Sequence, residues 1–198
     1  SRVQIVRRTI VAQRVQAAIT PDGDFADWPT VSEFVLDASS AQYVGGVVRS
    51  ALDASVVLSA VWDSSYLYIA ALVSDDILVA DSSYVWDDDS IEIAFDGARD
   101  GKCCNADDHQ YIVSVDGRLA DFSTLQQGSS PVRRAVVMQP GGYRVEMAIP
   151  LTAFSSAPIV AGQTIGVNLA LNDDDDGGRR DKRLVWVGNT TTDFASMA

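Results

Sequence analysis

Period-two alternation of apolar and polar residues dominates this chain of 198 residues, and no segment shows a long 3.6-residue apolar stripe. Turn signals such as Asp63-Ser64-Ser65 and Pro140-Gly141-Gly142 separate the alternating runs. The runs predicted as strands are Ser55–Trp62, Tyr66–Ser74, Ser90–Phe95, Gln110–Asp116, Val132–Gln139, Tyr143–Ile149, Gln163–Leu171 and Lys182–Val187. Strands this short and this regularly spaced predict an all-β fold, an antiparallel two-sheet β-sandwich that is jelly-roll-like. Only Pro150–Ser155 suggests a short helical turn.

The N-terminal part of the chain alternates as well and adds an extra strand segment to the sandwich. Ser1–Ile19 is predicted as one long strand or a strand pair, followed by the turn-forming aspartates Asp22 and Asp24 around Gly23. We therefore divide the chain into an extended segment, residues 1–20, and a sandwich, residues 21–198. Two interpretations of the segment stay open. It pairs at an edge of its own sheet, or Ser1–Ala18 is donated to a neighbouring copy in an oligomer or filament.

Composition limits the partners that we expect. The chain is 47% hydrophobic, enough for a sizeable core, and its formal net charge is −12. Such a charge repels phosphate backbones and anionic lipids, so neither nucleic acid nor an anionic membrane is an expected partner. No apolar run approaches the roughly 18 residues of a membrane span. A start at Ser1 fits a mature secreted product or a domain cut from a longer chain, and we expect an extracellular or cell-surface location.

The strand Ser90–Phe95 carries the most distinctive chemistry. Its odd-numbered residues are apolar and point to the core, whereas its even-numbered residues, among them Glu92, point away. Trp86 and the run Asp87–Asp89 directly precede it. An aromatic ring, a carboxylate and a cluster of aspartates at the start of one strand are suited to holding a sugar beside a calcium ion.

Other polar side chains share that outward direction on neighbouring predicted strands. Gln110, Ile112 and Ser114 are outward on one strand, and Asn168 and Asn172 on another. Amide groups there can hydrogen-bond sugar hydroxyls.

Dense acidic loops suggest a cation. The candidate metal ligands are Asp87, Asp88, Asp89, Asp173, Asp174 and Asp176, and the expected ion is Ca2+. The loop that begins at Asn172 is not an EF-hand, because Arg183 occupies the twelfth position, where a bidentate glutamate is required. Two interpretations stay open: a calcium loop with ligands from elsewhere, or a solvated acidic turn neutralised by Arg179, Arg180 and Lys182.

Catalytic chemistry has little support in the sequence. His109 is the single histidine, and no nucleophile motif accompanies it. A zinc site needs more His or Cys than the chain has. A haem site could use His109 with Met138 or Met147, but Met147 is predicted to point inward and His109 to lie in an acidic loop. We expect a protein that is not an enzyme.

Five motifs in order resemble family 9 carbohydrate-binding modules, which are related to the DOMON-like sandwiches. The resemblance extends from about Pro21 to Asn189. The motifs are Pro21–Trp28, Val61–Ile69, Val85–Ile93, Tyr143–Pro150 and Gly166–Asp174.

This resemblance implies a β-sandwich with structural calcium that, in some members, clamps a terminal sugar between two aromatic rings. Trp86 matches one ring, and Glu92 matches a carboxylate that hydrogen-bonds the sugar. The second ring is either Trp186 or Phe194. The family's basic contact on the strand after Glu92 has no counterpart, because that strand carries no arginine.

Three roles for Glu92 stay open, namely sugar binding, calcium ligation and pairing with Arg144. The first hypothesis for the chain is a non-catalytic, calcium-stabilised, extracellular carbohydrate-binding module. Its expected sugar-binding residues are Trp86, Glu92, Gln110, Asn168 and Asn172. The alternative is a structural surface or filament subunit that assembles through Ser1–Ala18.

Overall fold

The computed structural model describes residues 9–102, 106–122, 130–155 and 157–188. Across these ranges the chain forms twelve β-strands in two six-stranded sheets and no α-helix. None of the described residues forms a helix long and apolar enough to cross a membrane. The predictions for residues 1–8 and for Phe194 lie outside the described residues.

Sheet A has the strand order β1-β4-β5-β10-β9, and β2 also pairs with β4. Its strands are β1 (Gln13–Arg14), β2 (Glu33–Leu36), β4 (Ala54–Trp62), β5 (Tyr66–Asp75), β9 (Arg133–Gln139) and β10 (Gly142–Pro150). Sheet B has the order β3-β12-β11-β6-β7-β8. Its strands are β3 (Tyr43–Gly45), β6 (Ser90–Asp96), β7 (Asp108–Ser114), β8 (Leu119–Asp121), β11 (Gly166–Asp173) and β12 (Lys182–Val185).

The predicted antiparallel β-sandwich is confirmed. Every described pair of strands is antiparallel except β1 with β4. The hairpins β4–β5 and β9–β10 form at the predicted turns, and Leu151–Ala153 makes a short 3₁₀ turn. The apolar parity of β6 is also as predicted, because Ile91, Ile93 and Phe95 are each at most 2% exposed in the core between the sheets. Burial of each such side chain contributes about 1.5–3 kcal/mol to folding.

The long N-terminal strand is not observed in the described part of Ser1–Ile19. That part contains only β1, whose two residues pair with Val61 and Trp62 of β4. The reason is competition for one edge, since β2 already pairs with residues 56–59 of β4. The segment packs on the sandwich all the same, with Ile19 buried against Tyr68. The boundary at residue 20 stays a prediction.

A buried carboxylate fixes the turn that follows this segment. Glu146 of β10 is fully buried and accepts hydrogen bonds from the backbone N–H of Asp22 (3.0 Å) and Gly23 (2.6 Å) and from Nε1 of Trp28 (2.6 Å). Gly23 has φ +85°, and a Cβ there would lie 2.2 Å from a methyl group of Val137. Only glycine therefore fits this close approach, and the turn is anchored on sheet A, away from the outward face of sheet B.

Candidate carbohydrate-binding site

The outward face of sheet B gathers the predicted polar residues. Strand register aligns Glu92 of β6 with Ile112 of β7 and Ala170 of β11, and aligns Ala94 with Gln110 and Asn168. This face is more deeply buried than the sequence suggested, because Glu92 is 3%, Asn168 1% and Asn172 0% exposed. The loop before β6 covers part of it, since Val85 packs on Ile112 and Ala120.

Glu92 is the centre of a hydrogen-bond network on this face. Its Oε1 accepts from Nδ2 of Asn172 at 2.7 Å. Its Oε2 accepts from Nε2 of Gln110 at 3.0 Å and from the guanidinium of Arg183 at 2.8 Å. A buried carboxylate with three donors is held in one orientation. The predicted site residues Glu92, Gln110 and Asn172 are therefore brought together.

Arg183 is the member of this network that sequence reasoning missed. It lies on β12 directly opposite Asn172 of β11. Arg144, considered as a partner of Glu92, instead lies on β10 of sheet A, and its guanidinium carbon is 5.7 Å from the ring centroid of Phe25. The pairing of β11 with β12, which brings Arg183 beside Asn172, is non-local and cannot be read from the alternation of Lys182–Val187.

Asn168 has a different local role from Asn172. Its Nδ2 donates to the backbone oxygen of Val187 at 2.8 Å, and its Oδ1 accepts from the Val187 N–H at 3.1 Å. It thereby ties β11 to the segment after β12. Asn168 also lines a shallow, partly open depression with Glu92, Ala94 and Gln110.

An aromatic cluster packs beside Ile112 on the same face of sheet B. The ring of Trp86 stacks on Tyr84 with centroids 4.8 Å apart and lies 5.6 Å from Phe122 in a tilted arrangement. The backbone N–H of Phe122 donates to the carbonyl of Gln110 at 3.0 Å, which places the cluster beside the Glu92 network. Trp86 is partly buried, whereas Tyr84 is 54% exposed. Sequence reasoning missed Tyr84, because nothing in the neighbouring sequence indicates that its ring stacks on Trp86.

Trp186 is excluded as the second clamping ring. It is 2% exposed in the core between the sheets, with its ring 4.7 Å from that of Phe34. The alternation of β12, continued past its end, puts Trp186 on the inward face with Leu184.

His109 and Met147, the residues considered for a haem site, make contacts within the fold. His109 lies on β7, not in a loop as predicted, because β7 extends back to Asp108 and pairs with β6 there. One of its ring nitrogens, Nε2, lies 2.9 Å from the carbonyl oxygen of Ala153, and its ring stacks on Tyr111. Met147 is buried in the core, as the sequence predicted.

A cage of carboxylates surrounds Lys182 at one end of sheet B. Its Nζ lies 2.8 Å from Asp53, 2.8 Å from Asp173 and 2.6 Å from Asp175. Lys182 is 4% exposed. Burial alone would lower the pKa of this ammonium, but its hydrogen bonds to the carboxylates raise that pKa overall. The predicted neutralisation of the acidic loop by Lys182 is therefore observed, and it includes the metal candidate Asp173.

Further buried acids lie next to this cage. Burial, together with nearby carboxylate charge, raises the pKa of Asp75 to about 8, and burial raises that of Asp89 to about 7 and that of Asp173 to about 6. The Asp89 carboxylate also accepts from the N–H of Val79 (2.6 Å) and of Asp174 (2.7 Å). It thus joins the loop before β6 to the loop after β11.

Two of the predicted metal ligands meet a third acid that sequence reasoning missed. One carboxylate oxygen each from Asp81, Asp88 and Asp174 lie within 4.8 Å of one another. Asp174 and Asp88 are fully buried, and Asp88 pairs with Arg118. Asp176 groups with Asp174 and Asp181 nearer the surface. Asp87 joins none of the acidic groups found among the described residues.

Comparison with known proteins identifies the family. A family described as "Carbohydrate family 9 binding domain-like" matches residues 25–197. This chain belongs to that family. It is a carbohydrate-binding module in type, and such modules are non-catalytic.

Relatives of this family 9 domain occur in long enzymes. An endo-1,4-beta-xylanase A from Thermotoga maritima is 31% identical over 179 residues, which are 87% of this chain and 16% of that sequence. Exoglucanase XynX from Acetivibrio thermocellus is 31% identical over 148 residues, which are 73% of this chain and 13% of that sequence. The domain therefore spans about a sixth or less of the length of these curated relatives.

Solved structures share the fold of this family 9 domain. A family 9 carbohydrate-binding module from Caldicellulosiruptor kristjanssonii in complex with cellotriose superposes with a TM-score of 0.79 at 21% identity, covering 96% of this chain and 91% of that one. The same source gave a complex with glucose, with a TM-score of 0.78 at 22% identity, covering 97% of this chain and 93% of that one. At these identities the likeness concerns the fold.

Proposed function

We propose that this domain binds β-1,4-linked glucose oligosaccharides on the outward face of sheet B. The observation that carries the proposal is the Glu92 network with Gln110 and Asn172, which borders the Trp86 aromatic cluster. Carboxylate and amide groups hydrogen-bond sugar hydroxyls, and the C–H faces of a pyranose pack on aromatic rings. The solved neighbours in complex with cellotriose and with glucose support this ligand class. Asn168 supports the floor of the site through its bonds to Val187.

We infer further that the domain is one module of a longer, extracellular polysaccharide-degrading enzyme. The relatives named as xylanases and an exoglucanase support this inference, as does the small share of their length that the chain matches. The alternative filament subunit has no support in the comparisons or in the described residues, where β1 pairs within its own chain.

Replacing Trp86 with alanine tests the proposal. We expect Trp86→Ala to weaken cellotriose binding about 30-fold or more, because loss of a central aromatic contact costs about 2 kcal/mol. Titration calorimetry measures the affinity. Trp62→Ala is the matched control, since Trp62 is also partly buried but belongs to sheet A. Equal affinities of Trp86→Ala and the parent would contradict the role of the aromatic cluster.

We also propose a calcium ion held by Asp88 and Asp174, with Asp81 as the third carboxylate. The residues fit such an ion because their oxygens converge and because Oδ2 of Asp174 is buried with no hydrogen-bond partner among the described residues. Calcium would supply positive charge and join the loops before β6 and after β11. Asp89 would brace the same two loops through its backbone contacts. Asp87, Asp173 and Asp176 are not assigned as ligands in this proposal.

Calcium should raise the melting temperature, and more strongly as pH rises, because burial raises the pKa of its ligand Asp174 and a protonated carboxyl binds the ion poorly. Asp75 and Asp89 have folded pKa values of about 8 and about 7, above the unfolded value, so the folded state holds extra protons at neutral pH. In chelator, the contribution of these two groups to stability is therefore fully present below about pH 4, falls as pH rises and is lost by about pH 8. At pH 8, calcium 100-fold above its dissociation constant adds about 2.7 kcal/mol, or roughly 5–10 °C.

Differential scanning calorimetry in calcium and in chelator measures this shift. Asp174→Asn should abolish most of it, whereas Glu33→Gln, an exposed change on β2, should leave it intact. A melting curve at pH 8 that is the same in calcium and in chelator would rule out the proposed ion.

A further inference from the structure

Glu92 is a buried carboxylate whose charge needs compensation. It is 3% exposed, and an ionised carboxylate at such a position is costly unless a cation and hydrogen bonds accompany it. Its own strand and the next one supply no cation on the outward face, where β7 presents Gln110, Ile112 and Ser114. Gln110 and Asn172 are neutral amides, so they orient the carboxylate without balancing its charge.

Arg183 supplies the balancing charge from two strands away. Strand β12 lies beyond β11 from Glu92, yet the Arg183 guanidinium spans β11 and reaches Oε2 of Glu92 at 2.8 Å. Its side chain is 10% exposed, so water screens this pair little.

The edge strand β3 lies next to Arg183. Its register partner on β3 is Gly45, and the ring of Tyr43 lies over that glycine. A Cβ at Gly45 would fall 2.9 Å from the Tyr43 hydroxyl oxygen, so a larger residue would displace the ring. This arrangement fits the low exposure of Arg183, although its strand β12 is next to the edge of the sheet.

Other charged groups on the surrounding strands have different contacts. Lys182 is held in its carboxylate cage with Asp173, and the ring of His109 stacks on Tyr111. Asp96 of β6 and Asp108 of β7 lie opposite each other in the strand register, and Asp96 is four residues along β6 from Glu92. Arg183 is the cation that contacts Glu92 among the described ion pairs.

We propose that Arg183 is the positioning residue that pairs with the Glu92 carboxylate and holds it in place for the sugar. The inference rests on the proposed function, in which Glu92 accepts a sugar hydroxyl. The amides of Gln110 and Asn172 and the guanidinium of Arg183 fix the orientation of the carboxylate, which lines the depression with Ala94 and Gln110. Strand β6 carries Glu92 but no cation on its outward face, and Arg183 of β12 supplies that cation.

The test is the cellotriose affinity of Arg183→Met and Arg183→Lys, measured by titration calorimetry, with the melting temperature recorded for each variant. Without the guanidinium, the buried Glu92 carboxylate loses its ion pair and one of the hydrogen bonds that fix its orientation. We expect Arg183→Met to bind at least tenfold more weakly than the parent. Arg183→Lys keeps the positive charge, so it should recover part of that loss. Arg179→Met, an exposed change in the loop before β12, is the control.

Partial recovery of affinity in Arg183→Lys, beside the loss in Arg183→Met, supports the positioning role. Parent-like affinity of Arg183→Met, or an Arg183→Lys variant that binds as weakly as Arg183→Met, overturns it. If Arg183→Met does not fold, a parent-like affinity of Arg183→Gln would overturn it in the same way. A parent chain that gives no cellotriose signal at all refutes the proposed function instead.

Discussion

Glu92→Gln should reduce the affinity for cellotriose more than 100-fold. The carboxylate accepts from Gln110, Asn172 and Arg183, so every neighbour that contacts it presents a donor. Glutamine replaces one of the two acceptor oxygens with an NH₂ group, which would point at a neighbouring donor. The substitution also leaves the buried Arg183 without a counter-charge. Truncating one partner of a buried charge pair at a binding site costs about 2–5 kcal/mol, and about 3 kcal/mol corresponds to more than 100-fold in affinity.

Titration calorimetry with cellotriose measures this loss, with the melting temperature recorded for each variant. Glu33→Gln provides the matched control, because Glu33 is exposed on β2 of the opposite sheet. A Glu92→Gln variant that folds and binds within threefold of the parent would show that the ligand does not contact this carboxylate.

Lys182→Met should destabilise the fold by about 3–5 kcal/mol, the cost of removing one partner from a buried ion pair. Its ammonium lies within 2.8 Å of three carboxylates, of which Asp53 is 3% and Asp173 2% exposed. Methionine fills a similar volume but removes the buried cation that offsets the mutual repulsion of these acids, and the guanidinium of Arg49 that remains near Asp53 and Asp175 is exposed. The acids join the loop before β4 to the end of β11, so both segments lose their anchor.

Urea unfolding followed by tryptophan fluorescence measures the change in the free energy of unfolding. Lys102→Met is the control, because Lys102 forms an exposed pair with Asp100 and such pairs contribute about 0–1 kcal/mol. A loss below about 1 kcal/mol for Lys182→Met would mean that water or another cation compensates the cage, contrary to the burial of its members.

The long strands of the fold were predictable from sequence because each carries its own alternation. The apolar residues of Ser90–Phe95 and the turn at Pro140–Gly142 needed no knowledge of the rest of the chain. Three short strands were missed: Glu33–Leu36, Tyr43–Gly45 and Leu119–Asp121. Three or four residues give too little alternation to recognise, and these strands form because a neighbouring edge is available to pair with.

The candidate site was predictable only in part, for a related reason. The alternation of the strands correctly predicted that Glu92, Gln110 and Asn172 lie on one face of the sheet. Parity gives the direction of a side chain but not its burial, which depends on loops that fold over the sheet. Arg183 and Asp81 come from distant segments, so their meeting with Glu92 and Asp174 depends on the strand order.

The most direct test of the central claim is the response of side-chain amide signals to cellotriose in a ¹⁵N-labelled sample. The NH₂ groups of Gln110 and Asn172 contact Glu92, whereas Gln163 lies in the exposed turn before β11. We predict saturable shifts of the Gln110 and Asn172 signals, with those of Gln163 unchanged. Saturable binding that leaves the Gln110 and Asn172 signals unmoved would place the sugar elsewhere and contradict the account.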